Sequence, residues 1–129
     1  MILAAAALFA VQCTAKAIYI EARGEPMMAQ KLVASVVINR AKEIKGKPKL
    51  RDTCSVVKTK GTFPWYKKHP IWVPIEELGA WQQALAIAAA AQYVPHKYAS
   101  PYMYFNELRL GKRFNTQVKP VVSGHLIFY

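Results

Sequence analysis

The sequence predicts a small α+β domain, with three main helices followed by a short antiparallel sheet. Three observations carry this. Helix-periodic, often Ala-rich runs cover residues 3–23, 27–44 and 81–93. After Ser100-Pro101 that period is lost, and aromatic and β-branched residues take over. The 129 residues are 53% hydrophobic, enough for one core, so residues 1–129 read as a single domain.

The first helix is expected over residues 3–23. Its first half is apolar all round, which suits a central helix better than a peripheral one. Met1 through Val11 has no basic residue before it to make a secretory leader. It is also shorter than the about 20 residues that cross a bilayer. Gly24 fits the position after a helix end, where positive φ costs it little, and Pro26 fits the first turn of the next helix. That helix is expected over 27–44, with Leu32, Val33, Val36, Val37 and Arg40 at helical spacing.

Lys45-Gly46-Lys47-Pro48-Lys49 reads as a basic loop, and Asp52-Thr53 as the cap of a short helix through Lys58. Residues 59–80 lack a period but are rich in Pro and aromatics, the mark of a loop anchored by its own rings or used for function. Trp81 through Tyr93 is the third main helix, stopped by Val94-Pro95. Tyr102-Met103-Tyr104-Phe105 reads as a strand, with Tyr102 and Tyr104 on one face. Leu110-Gly111-Lys112 reads as a turn, and Val118 to Tyr129 as one or two more strands.

Charge is lopsided: 18 Lys and Arg against 7 Asp and Glu give a formal net charge of +11. Such an excess draws a protein toward polyanions: nucleic acid, acidic membranes or an anionic cell wall. Few acids also means few candidates for carboxylate chemistry. Three histidines and two cysteines, with no CxxC or HExxH spacing, give no metal motif, and no cofactor is expected. Cys13 and Cys54 could bridge in an oxidising compartment; two buried thiols is the plainer reading, since size alone demands no staple.

Glu21 falls on the last turn of the first helix. The negative end of the helix dipole and the loss of water both favour its protonated form there. A proton held near neutral pH is what a general acid needs to cleave a glycosidic bond. Glu25 lands at the start of the next helix, where an ionised N-capping role is favoured. The two acids are thus pushed apart, with Glu21 the proton donor and Glu25 structural.

The order Ala17-Ile18-Tyr19-x-Glu21-Ala22-Arg23-Gly24-Glu25-Pro26, Val36-x-x-Asn39-Arg40, Phe63-x-Trp65, Tyr104-x-Asn106 and Gly124-His125 resembles the SleB-like cell-wall hydrolases. That family includes spore-cortex-lytic enzymes and phage lysins. The resemblance implies a lysozyme-related fold and lytic transglycosylase activity on the glycan strands of peptidoglycan. It implies Glu21 as the essential acid, with Trp65, Tyr104, Asn106 and His125 in the substrate groove. Two departures stand out. Thr62-Phe63-Pro64-Trp65 replaces the family's Gln-Phe-Ser-Trp. Gly124-His125-Leu126-Ile127-Phe128-Tyr129 is one residue longer than its Gly-His-x-Phe-Tyr. An added residue sends a strand's side chains to the other face unless a bulge absorbs it.

Read without the resemblance, most of these residues have plainer roles. Glu21 could pair with Arg23 or Lys16. Arg40 could bind an anionic substrate, but anchoring helix 1 or Glu25 is the better reading. The rings of Phe63, Trp65, Tyr66 and Trp72 could stack on sugars or fill the core. Asn106 could hold an acetamido group or make a turn, and His125 could be structural. Lys42, Lys45, Lys47, Lys49 and Arg51 could form a solvated loop or attract an anionic envelope.

Two rivals to a glycosidic-bond-cleaving enzyme remain: a wall amidase, which requires a metal cluster, and a basic nucleic-acid-binding module. The expected partner is peptidoglycan rather than a specific nucleic acid, and the expected state a monomer acting at the wall. Without an export signal, it would reach the wall through a holin or by lysis.

Overall fold

The computed structural model describes residues 2–43, 52–58, 73–111 and 117–129. Helix α1 (Ile2–Ala22) lies at the centre, and helices α2 (Met27–Lys42), α3 (Asp52–Lys58) and α4 (Leu78–Tyr93) all pack on it. Its sequence explains that place. From Ala10 to Tyr19 every residue except Gln12 and Lys16 is buried, so the helix keeps almost no polar face for solvent.

Small residues set how closely the helices approach. Ala15 and Ala17 on α1, Ala29 and Ala34 on α2, and Ala84, Ala88 and Ala91 on α4 are at most 1% exposed. Ile18, Val33, Val36, Val37 and Val57 fill the space between them, and each contributes roughly 1.5–3 kcal/mol by leaving water. The α4 helix starts at Leu78, before the expected Trp81, because a 3₁₀ turn over Ile75–Glu77 leads into it after Pro74.

Cys13 and Cys54 form a disulfide, which replaces the two buried thiols of the sequence reading. The reason is tertiary: α1 and α3 bring the two Cα atoms to 5.1 Å, within disulfide range. The Thr53 hydroxyl adds a hydrogen bond to the Ala10 carbonyl at 3.4 Å.

Between α1 and α2 the chain turns as the sequence predicts. Gly24 has φ +80°, and the Glu25 N–H donates to the Ala22 carbonyl at 3.0 Å. Pro26, not Glu25, occupies the N-cap of α2, and no side chain caps that helix. The expected capping role of Glu25 is therefore wrong. Its carboxylate is engaged across the fold.

The sheet has strands β1 (Phe105–Glu107), β2 (Val121–Ser123) and β3 (Leu126–Phe128) in the order β1-β3-β2, with both pairings antiparallel. Phe128 pairs with Phe105 on one side and Val121 on the other. Pairing continues one residue further, where Tyr104 and Tyr129 exchange N–H···O bonds of 2.9 and 3.0 Å. Met103 also donates its N–H to the Tyr129 carbonyl at 3.0 Å, so two residues oppose one, as in a β-bulge.

The bulge corrects the expected strand. Regular pairing starts at Phe105 rather than Tyr102, and Tyr102 does not share a face with Tyr104. The Tyr102 ring instead contacts core Phe128 at 6.3 Å, as Phe105 does at 5.7 Å. Tyr104 meets Tyr129 at 5.7 Å. A strictly alternating strand could not put Tyr102 and Phe105 against the same ring.

Candidate active site

Glu21 sits half-buried on the last turn of α1. It continues a stripe formed by Thr14, Ala17 and Ile18, which are at most 3% exposed. The helix thus carries one carboxyl group at the point where its buried stripe reaches the molecular surface. Glu43, Glu76 and Glu107 are exposed, and Glu107 is ion-paired with Arg109.

Arg23, a suggested partner of Glu21, instead forms an ion pair with Glu77, Nε to Oε1 at 3.1 Å. Its guanidinium also lies 4.7 Å from the centre of the Tyr19 ring. The Tyr19 hydroxyl donates to Glu77 Oε2 at 2.8 Å, and its ring meets Trp81 edge-on at 5.8 Å. Burial, followed by the bond to Glu77, raises the Tyr19 pKa above its ordinary 10.0, although Arg23 opposes the shift. This cluster fastens the end of α1 to the start of α4. Sequence reading missed Glu77, whose one signal was its place among the acids just before a helix.

Glu25 is 14% exposed and reaches the turn between β2 and β3. Its Oε2 accepts the His125 N–H at 3.0 Å, and its Oε1 lies 3.0 Å from His125 Nδ1. The His125 side chain is itself 90% exposed. The turn depends on Gly124, which has φ +59° and faces the Glu25 carboxylate. A Cβ there would collide with that carboxylate and lie 2.6 Å from Pro26 Cδ.

A second set of residues joins α2 to the sheet. Asn39 donates from Nδ2 to the carbonyls of Ser100 and Tyr102, both at 2.8 Å, and the hydroxyls of Ser35 and Ser100 are hydrogen-bonded. The Arg40 guanidinium lies 5.6 Å from the centre of the Tyr104 ring. Tyr104 in turn packs on Tyr129, whose hydroxyl accepts a bond of 2.8 Å from the Asn106 amide. Asn106 is half-buried within β1 rather than in a turn. Arg40, Tyr104, Tyr129 and Asn106 thus form a continuous row.

Trp65 lies outside the described residues, as do Phe63, Tyr66, Trp72 and the loop cations Lys45, Lys47, Lys49 and Arg51. Among the described residues, no three His, Cys, Asp or Glu side chains gather where a metal could be held. No helix among them is long and apolar enough to cross a membrane.

No curated protein and no solved structure matches the chain. A family model described as cell wall hydrolase matches residues 24–129. That span opens at the Gly24 turn and includes Glu25, Asn39, Arg40, Tyr104, Asn106 and His125, with Glu21 just before it. The chain therefore belongs to the SleB-like cell wall hydrolase family, and the material it degrades is the peptidoglycan of the wall.

Proposed function

We propose that this cell wall hydrolase is a lytic transglycosylase that cleaves the bond between N-acetylmuramic acid and N-acetylglucosamine, with Glu21 as its acid and base. The supporting observation is the half-buried place of Glu21 at the end of the buried stripe of α1. Glu21 donates its proton to the bridging oxygen as the bond to C1 breaks. The sugar's own N-acetyl carbonyl meets the positive charge at C1. The carboxylate then takes the proton of the 6-hydroxyl as that oxygen attacks C1, closing a 1,6-anhydro ring without water.

A route through two carboxylates needs a second acid about 5–5.5 Å away for retention or 6.5–9.5 Å for inversion. Glu25 and Glu77, the acids at the two joints of α1, are both engaged, Glu77 with Arg23 and the Tyr19 hydroxyl and Glu25 with the His125 N–H. That favours a mechanism with one acid. Tyr104 and Asn106 serve the groove, together with Trp65 and His125. The net charge of +11 favours adhesion to an anionic envelope. This combination suits a phage endolysin that is released onto the wall.

The test is digestion of purified peptidoglycan by the wild type and by Glu21→Gln, with the products identified by mass spectrometry. Anhydro-muramyl ends that disappear with Glu21→Gln are expected. Reducing ends would mean hydrolysis, and free stem peptides an amidase. DNA binding without digestion would favour a nucleic-acid module. Undiminished digestion by Glu21→Gln would remove Glu21 from its role.

A further inference from the structure

We infer that Glu25 is a positioning residue for the reaction, holding the end of α1 against the sheet so that Glu21 faces the row formed by Tyr104 and Asn106. The inference rests on the reading of Glu21 as the acid. Its argument comes from what Glu25 joins. At the backbone, Glu25 is tied to the last residue of α1 through its N–H and the Ala22 carbonyl. At the side chain, it is tied to the β2–β3 turn, 100 residues further along the chain.

From that turn the connection continues into β1. The His125 carbonyl accepts the Leu108 N–H at 2.7 Å, and Glu107 and Asn106 pair with Leu126 and Ile127. One carboxylate therefore spans the gap between the helix that bears the acid and the strand that bears Asn106. α1 and the sheet lie at opposite ends of the chain, so this tie is a long-range one.

The anchor on the sheet side is the peptide N–H of His125 more than its ring. The ring is 90% exposed, so water competes for its contact with Glu25. The N–H bond involves a carboxylate that is 14% exposed, and a charged acceptor makes such a bond stronger than a neutral one. Gly124 makes the approach possible, since any side chain there would occupy the place of the Glu25 carboxylate. Glu25 and Gly124 consequently act as one device, and the His125 ring supplements it.

The experiment measures kcat and KM on soluble glycan strands for Glu25→Ala, Glu25→Gln, Gly124→Ala and the double variant Glu25→Ala/Gly124→Ala, beside Glu21→Gln. Thermal unfolding is recorded for each. Misplacing a reacting group by about 1 Å can cost about 100-fold. Glu25→Ala is therefore expected to lose kcat by about 10- to 100-fold, with KM changed less than about threefold.

Glu25→Gln keeps a carbonyl oxygen for the His125 N–H and is expected to recover most of that loss. Gly124→Ala is expected to match Glu25→Ala. In the double variant the collision with the carboxylate is gone, so the two losses should fall short of multiplying.

Wild-type kcat in folded Glu25→Ala overturns the inference. If that variant does not fold, Gly124→Ala decides it: wild-type kcat in folded Gly124→Ala overturns the inference too. Activity retained by Glu21→Gln would instead remove the reading of the acid, and with it this inference.

Discussion

Replacing Asn39 by alanine should loosen the join between α2 and the segment leading into β1. The amide nitrogen has two hydrogens, and each is spent on one carbonyl, of Ser100 and of Tyr102, at 2.8 Å. Alanine leaves both acceptors without that donor, at about 1–3 kcal/mol for each one left unmade. Asn39 is half-buried, so water can reach part of the site, and a total of about 2–4 kcal/mol is the reasonable sum. For a domain of this size that is a fall in Tm of roughly 6–20 °C. Asn39→Asp is the sharper control. It preserves shape but presents acceptor oxygens to two carbonyls, so it should be worse than alanine at neutral pH and improve in acid as the carboxyl gains a donor proton. Thermal unfolding followed by circular dichroism reads both variants. A fall of less than about 3 °C for alanine, or an aspartate variant more stable than alanine at pH 7, would refute the reasoning.

Two further outcomes follow from the joints of α1. The Cys13–Cys54 bridge closes a loop with a sequence separation of 41, for which chain entropy gives about 4 kcal/mol at most. Unfolding in denaturant with and without reductant should therefore differ by about 2–4 kcal/mol, and a Cys13→Ser/Cys54→Ser protein should be indifferent to reductant. Tyr19 governs the alkaline limb. Its pKa is higher folded than unfolded, so its contribution is fully present below pH 10 and is lost as pH rises through the folded value. Tyr19→Phe should be less stable than wild type at neutral pH, where it lacks the bond to Glu77, and the gap should narrow above pH 10. A gap that stays constant to pH 11.5 would contradict the assignment.

What sequence could show here was local. The helices were legible from Ala-rich periodicity, and the joint between α1 and α2 from Gly24 and Pro26, since each of these acts through its own backbone. Gly111 similarly marked a turn, and has φ +64°. The strand near Tyr102 was misplaced because its start is set from outside. Asn39 holds the Tyr102 carbonyl, and the Met103–Tyr104 bulge breaks alternation, and neither leaves a trace in strand propensity. Glu25 was read as a cap because its neighbours in sequence are a helix start; its actual partner, His125, is remote. Tyr129 was read only as part of a strand, whereas the residue is 2% exposed and its side chain supports both Tyr104 and Asn106. Arg23 was visible as a cation near two acids, but choosing Glu77 required knowing where α4 begins.

The two fastenings of α1 have a mechanical consequence. A covalent tie holds it at Cys13, and an ionic and aromatic tie holds it near its end through Tyr19 and Arg23. The opposing side has strands of three residues each, and the Glu25 carboxylate ties their β2–β3 turn to the segment that follows α1. A polymer pressing between the two would meet one unyielding jaw and one compliant jaw, and it is the compliant one that would have to give.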